Sequence, residues 1–160
     1  MLNLKIKYMH DDTKRLTIYP NGDWIDLYAD EDKIIEYGQQ AYVKLGFAMQ
    51  LPEGYEAHVA PRSSSFKNWG FIIANSVGVI DESYCGDDDE WCASVLSLSN
   101  KTLYTTDDNG KKIEVKGTHI HRGDKIAQFR IIEKMPPVQF VEVESLGNKN
   151  RGGLGSTGIK

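Results

Sequence analysis

A carboxylate, a phenol, an amide and two glycines crowd into residues 75–86, which read N-S-V-G-V-I-D-E-S-Y-C-G and follow Pro61-Arg62-Ser63 by a dozen residues. Asp81 is placed to act as a general base. An arginine such as Arg62 beside it would hold an anionic substrate while the acid takes a proton. Arg62, Ser63 and Ser64 together offer a guanidinium fork and two hydroxyls after a proline that fixes the approach, a group suited to phosphate oxygens. Taken singly, Gly-x-x-Asp is ordinary turn chemistry and Pro-Arg-Ser-Ser an ordinary surface turn. The apolar flanks, Phe71-Ile72-Ile73 and Val77, Val79 and Ile80, favour extended backbone, and Gly78 permits close approach to the main chain. The stretch therefore reads as a hairpin forming a pocket, with Asp81 at its rim.

Five segments in order sharpen this reading. Asp26-Leu27-Tyr28-Ala29, Pro61-Arg62-Ser63, residues 75–86, Gly123-Asp124-Lys125-Ile126-Ala127-Gln128 and the tail Arg151-Gly152-Gly153-Leu154-Gly155-Ser156-Thr157-Gly158 resemble the five motifs of the trimeric deoxyuridine triphosphatases across nearly the whole chain. The third, Asn-x-x-Gly-x-Ile-Asp-x-x-Tyr-x-Gly, discriminates best. The resemblance implies an all-β, jelly-roll or β-clip barrel and a homotrimer with shared sites that hydrolyses dUTP to dUMP and pyrophosphate. In those terms Asp81 directs water at the α-phosphorus, and Arg62, Ser63 and Ser64 grip the phosphates. Asn75, Gly78, Val79 and Ile80 read uracil, and Tyr84 packs under the deoxyribose. Gln128 serves the phosphates or a metal-bound water, and Asp26 is the first-motif acid. Mg²⁺ is implied as the cofactor, riding on the triphosphate, with Asp26 and Gln128 reaching it only through water and no direct protein ligand. The implied trimer draws Asp26, Arg62, Ser63 and Gln128 from one chain, the hairpin from a second and the tail from a third.

That tail departs from the family pattern Arg-Gly-x-Gly-Gly-Phe-Gly-Ser-Thr-Gly: it is two residues shorter and has Leu154 in place of phenylalanine. Arg151, Leu154, Gly155 and Ser156 are the expected substrate contacts. Arg151 is preferred over Lys149 as the phosphate clamp for its bidentate fork, and Trp91 is one candidate for the missing uracil cap. Short-tailed enzymes of Gram-positive bacteria and their phages are the nearest pattern.

Length and composition set the frame. The chain's 160 residues suit one domain, expected as a β domain over residues 1–146 and a mobile glycine-rich lid over 147–160. A net charge of −4, from 23 acidic and 19 basic side chains, gives no overall field for nucleic acid or an anionic membrane. Cys85 and Cys92 lack metal-ligand spacing and suit a reducing cytoplasm, and the alternating N-terminus is no signal peptide. Short apolar-alternating or β-branched runs predict strands at 4–8, 24–28, 34–37, 41–49, 55–60, 71–73, 77–80, 91–99, 113–115, 125–131 and 138–143, with one helical turn at 63–68. His119-x-His121 reads as a pair on one face of an exposed strand.

Two other functions are weighed. A deoxycytidine triphosphate deaminase shares the fold and the Arg-Ser-Ser segment, but in the strand that follows it resembles a pattern with glutamate three residues before an asparagine; Ser97 stands there, before Asn100. A dUTP-sensing regulator with a protein partner would use the long segment 102–121 as its extra surface.

Overall fold

The computed structural model describes residues 1–152. Twelve strands and one short helix follow in order: β1 (Lys5–Tyr8), β2 (Ile25–Tyr28), β3 (Lys33–Glu36), β4 (Gln40–Lys44), β5 (Phe47–Gln50), β6 (Tyr55–Pro61), α1 (Ser65–Trp69), β7 (Phe71–Ile73), β8 (Gly78–Ile80), β9 (Cys92–Ser97), β10 (Thr102–Thr106), β11 (Lys112–Ile120) and β12 (Lys125–Glu133). All pairings are antiparallel, in the orders β1-β5, β10-β11-β3, β2-β12-β6-β8 and β4-β9-β7. The expected all-β class is what forms. Alternation drives it: β9 buries Ala93, Val95 and Ser97 and turns Cys92, Ser94 and Leu96 outward.

The core lies between these sheets. Trp91, Phe47, Phe71, Phe129, Leu27, Ile120 and Ile126 are its largest fully buried side chains. Trp91 packs against Phe47 with ring centroids 5.2 Å apart and edge-on to Phe129 at 5.3 Å, arrangements that aromatic pairs favour. A tryptophan at the centre of the core cannot also cap a base in an open site, so the idea that Trp91 replaces the missing phenylalanine is corrected. Trp91→Ala is expected to lower stability by about 3–5 kcal/mol through loss of transfer energy and a residual cavity, as measured by denaturant unfolding. An unchanged midpoint would contradict this packing.

Three strand expectations also change. The apolar run 41–49 is two strands rather than one, because Gly46 turns the chain at φ 76°. A Cβ at Gly46 would lie 2.5 Å from the Asp30 carboxyl and 2.7 Å from the Thr13 methyl, so only glycine fits that break. β10 forms from a polar, half-exposed sequence because β11 supplies its ladder. Residues 138–143 form no strand, and Val138, Phe140, Val141 and Val143 stand exposed, Phe140 at 95%.

Candidate active site

The sequence-predicted residues fall into two groups. The first is built on β2, β12 and β6, where Asp26 lies opposite Gln128 and Gln128 opposite Ala60. A β-bulge between Lys125 and Ala127 shifts the register against β2. Strand alternation would otherwise send Lys125 and Gln128, three residues apart, to opposite faces; the extra residue brings both to the Asp26 side. Asp26 Oδ1 is then 2.7 Å from Arg62 Nε and Asp26 Oδ2 2.8 Å from Lys125 Nζ. The ion pair with Asp26 holds the Lys125 ammonium pKa above its ordinary value.

Arg62 is fixed from its backbone as well. Its N–H donates to Ser65 Oγ at 3.1 Å, and that hydroxyl, fully buried, donates to the Ile126 carbonyl at 3.0 Å, tying the loop to the bulge. Gln128 Nε2 donates to the Pro61 carbonyl at 3.1 Å. Ser63 is exposed and Ser64 half-buried at the start of α1. Because Asp26 takes the Nε side of Arg62, and the Nη groups make no protein hydrogen bond among the described residues, the outer edge of the guanidinium is available to an anion. Lys125 adds a second cation. The motif spacing gave no signal for Lys125 or Ser65, since the one depends on the bulge and the other on a contact 61 residues away.

The second group surrounds an open depression of about 490 Å³ lined by Tyr42, Val79, Ile80, Asp81, Tyr84, Glu90 and Cys92. Asp81 is exposed at its rim, and its side chain has no hydrogen bond or ion pair among the described residues. The Tyr84 hydroxyl donates to the Glu90 carbonyl at 3.1 Å, holding the ring across the depression, and partial burial pushes the phenol up. Tyr42 comes from β4, remote in sequence from the motif, while Glu90 and Cys92 follow the motif closely, at the approach to β9 and its first residue.

Glu82 anchors this rim. Its Oε1 accepts from Lys134 Nζ at 2.8 Å and its Oε2 from the Gly54 N–H at 2.7 Å, so the carboxyl sits below its usual value, chiefly through Lys134, while Lys134 is pushed up. A depressed carboxyl stabilises the fold fully above its unfolded value of 4.5 and loses that contribution as pH falls through its lower folded value. Lys134 has the opposite sign: its contribution is present below 10.5 and is lost as pH rises through the raised value. Glu82→Gln is therefore expected to lower Tm at neutral pH, with the gap to wild type closing in acid below the carboxyl range. A gap that persists there would show that the pair is not its source.

The pocket is not a paired hairpin. β7 joins β9 and β8 joins β6, so residues 74–77 cross between two sheets, turning at Ser76 with φ 60°. Gly78 faces Val59, whose Cβ would lie 3.3 Å from an added Cβ, and the Asn75 amide is 3.6 Å from the same point. The close approach that Gly78 permits is thus to the protein's own β6 and to Asn75.

Asp81 and Arg62 are not neighbours within this chain. The β6–β8 register pairs Ala57 with Ile80 and Val59 with Gly78, so Asp81 follows opposite Glu56 while Arg62 lies past the far end of β6. Six residues at a strand rise of about 3.3 Å put them roughly 20 Å apart along the ladder, beyond the reach of an arginine side chain. The arginine expected beside the base is therefore not supplied by Arg62 of the same chain. Arg151 is exposed, and Leu154, Gly155 and Ser156 lie outside the described residues.

Comparison with known proteins settles the family. The dUTPase family profile matches residues 20–105. The SPbeta prophage-derived deoxyuridine 5'-triphosphate nucleotidohydrolase of Bacillus subtilis is 48% identical over 99% of this chain and 100% of its own length. The chain belongs to the dUTPase family. The deoxyuridine 5'-triphosphate nucleotidohydrolase of Clostridium acetobutylicum, a dUTPase by its name, is 33% identical over 100% of this chain and 99% of its own. The dUTPase-like jelly-roll fold recurs in a mutant dUTPase of Staphylococcus bacteriophage 80alpha solved with dUpNHpp, at TM-score 0.74 and 22% identity, covering 98% of this chain and 99% of that one. It recurs again in a mutant dUTPase of phage phi11 of S. aureus, described as coordinating a structural Mg(II) ion, at TM-score 0.69 and 22% identity over 90% of this chain and 98% of that one.

The dUTPase fold also bears on the rival readings. Ser97, at the position a deaminase would fill with glutamate, is fully buried and hydrogen-bonded to Thr118 Oγ1 at 3.0 Å, and a serine there offers no carboxylate to shuttle protons. Segment 102–121 is the β10–β11 hairpin, and Gly117 to Ile120 pair with β3. Removing residues 103–118 would also take Gly117 and Thr118 from their pairing with β3, so such a deletion disturbs the fold as well as the surface.

Proposed function

We propose that this dUTPase hydrolyses deoxyuridine triphosphate to the monophosphate and pyrophosphate at sites assembled between copies of the chain. One copy contributes Asp26, Arg62, Ser63, Lys125 and Gln128; another contributes the depression with Asp81 and Tyr84; the tail with Arg151 comes from a third. The observation that carries this reading is the roughly 20 Å along β6 and β8 between Arg62 and Asp81. A base and a phosphate clamp acting on one phosphorus must lie within a few ångströms of it, so the pair that acts together comes from two chains. The exposed row Val138, Phe140, Val141 and Val143 supports assembly, since an apolar run left uncovered by the described residues of its own chain favours a partner in another.

At such a site Arg62 and Lys125 bind triphosphate oxygens, with Arg62 aimed by Asp26. Asp81 orients a water in line with the α-phosphorus and accepts its proton, and pyrophosphate departs. Ser63 stands where a hydroxyl can follow charge growing on the bridging oxygen. Tyr84 presents a ring face to the sugar, leaving no room for a 2'-hydroxyl. Asn75, Gly78, Val79 and Ile80 offer an amide and backbone groups for uracil, and a base with a different hydrogen-bonding edge would leave them unpaired. The oxygen-rich donor set fits Mg²⁺, a hard cation that keeps its waters. Asp26, its oxygens already facing two cations, and Gln128 would reach Mg²⁺ through water, and the bound ion would neutralise phosphate charge. The cysteines are free thiols, consistent with action in the reducing cytoplasm. The purified protein supplied with Mg²⁺ is expected to release pyrophosphate from dUTP and little from dCTP or UTP. Failure to release it from dUTP would end this reading.

A further inference from the structure

We propose that Asp32, His119 and His121 form a surface binding site for a zinc-type divalent transition cation, separate from the nucleotide site. β11 pairs with β3 so that His119 lies opposite Ile34 and Ile120 opposite Lys33. One step further, just past the last paired residues, His121 faces Asp32. His119 and His121, two apart, project from one face of the strand, and Asp32 joins them from the neighbouring strand. The two imidazole rings lie with centroids 3.9 Å apart, and one ligand atom from each of the three residues falls within 4.8 Å of the others.

Donor type and support both suit such an ion. Two imidazoles and a carboxylate form the set of an open zinc site with water in the fourth position, and imidazole selects zinc, nickel or copper over magnesium. Ligand atoms about 2.0–2.2 Å from a tetrahedral zinc are roughly 3.3–3.5 Å apart. Closing from the present spacing needs only modest side-chain rotation, which the exposed Asp32 and His121 permit. The surroundings hold two of the three: the Arg122 N–H donates to Asp32 Oδ1 at 3.3 Å, leaving Oδ2 for a metal. Asp124 Oδ2 accepts the His121 main-chain N–H at 2.9 Å and lies 3.7 Å from His121 Nδ1, beyond hydrogen-bond length, so it fixes the backbone of His121 and leaves the ring free to turn toward a metal. No residue of the Asp81 depression or of the Asp26 and Arg62 cluster belongs to this group.

The test is calorimetric titration of the metal-stripped full chain with zinc chloride, without nucleotide, for wild type, H119A/H121A and D32N. Asparagine at position 32 keeps the acceptor for Arg122 and removes the charge. Wild type is expected to bind about one ion per chain, D32N to bind at least about tenfold more weakly and the double variant to lose the site. Cobalt(II) added in place of zinc should show the intense visible bands of a tetrahedral site in wild type only. Circular dichroism and pyrophosphate release are expected to be unchanged in the double variant, which separates loss of the metal site from loss of fold. No binding by wild type, or equally tight binding by the double variant through His10, His58 or the cysteines, would overturn the proposal.

Discussion

Asp81→Asn is expected to reduce pyrophosphate release from dUTP by about 10²–10⁴-fold, the range a positioned general base contributes. Affinity for a non-hydrolysable analogue should stay near wild type. The reason is local: Asp81 stands exposed at the rim of the depression, with no side-chain partner among the described residues, so an isosteric amide disturbs no ion pair and no packing. Tyr84 and Glu82, which shape and anchor the rim, keep their own hydrogen bonds. What disappears is the ability to take a proton from water. Titration calorimetry with the analogue, beside a pyrophosphate assay, separates the two quantities. Near-wild-type turnover in the variant would remove Asp81 from the chemistry.

Arg62→Ala should lower kcat/KM by about 10²–10³-fold, the scale of losing one donor aimed at developing charge. Here the loss has two parts. The guanidinium that would meet phosphate oxygens is gone, and Asp26, now paired with Lys125 alone, places an incompletely neutralised carboxylate beside an anionic substrate. Arg62→Lys should recover little, because an ammonium cannot face Asp26 with one edge and phosphate with the other. Steady-state kinetics on both variants checks this. Full rescue by lysine would mean that charge alone matters and the fork geometry does not.

The candidate site is marked in the sequence by residue types at short spacing: Asp81 and Tyr84 within one turn, Arg62 beside its serines, Gln128 within a strand. What sequence could not supply is which of these meet. Lys125 reaches Asp26 only through a bulge, the Ser65 hydroxyl that holds the Arg62 N–H is itself anchored to the Ile126 carbonyl 61 residues away, and Glu82 is held by Lys134, 52 residues on. The fold shows the same division. Alternation revealed most strands, but the break at Gly46 is dictated by Asp30 and Thr13 crowding from elsewhere, and β10 owes its conformation to β11. Residues 138–143, rich in β-branched and aromatic residues, still form no strand, since a strand needs a ladder partner and none meets them among the described residues. The separation of Arg62 from Asp81 followed only from the β6–β8 register.

The central claim is that clamp and base act from different chains, and mixing the two inactive variants tests it most directly. R62A and D81N, each nearly silent alone, are unfolded together in equal amounts, refolded and assayed for pyrophosphate release from dUTP. If sites form across a ring of copies, about one quarter of them receive an intact Arg62 from one chain and an intact Asp81 from another, so activity should return to roughly that fraction of wild type. If both residues of a site came from one chain, no mixture could restore it. An assay as silent as the separate variants would contradict the account.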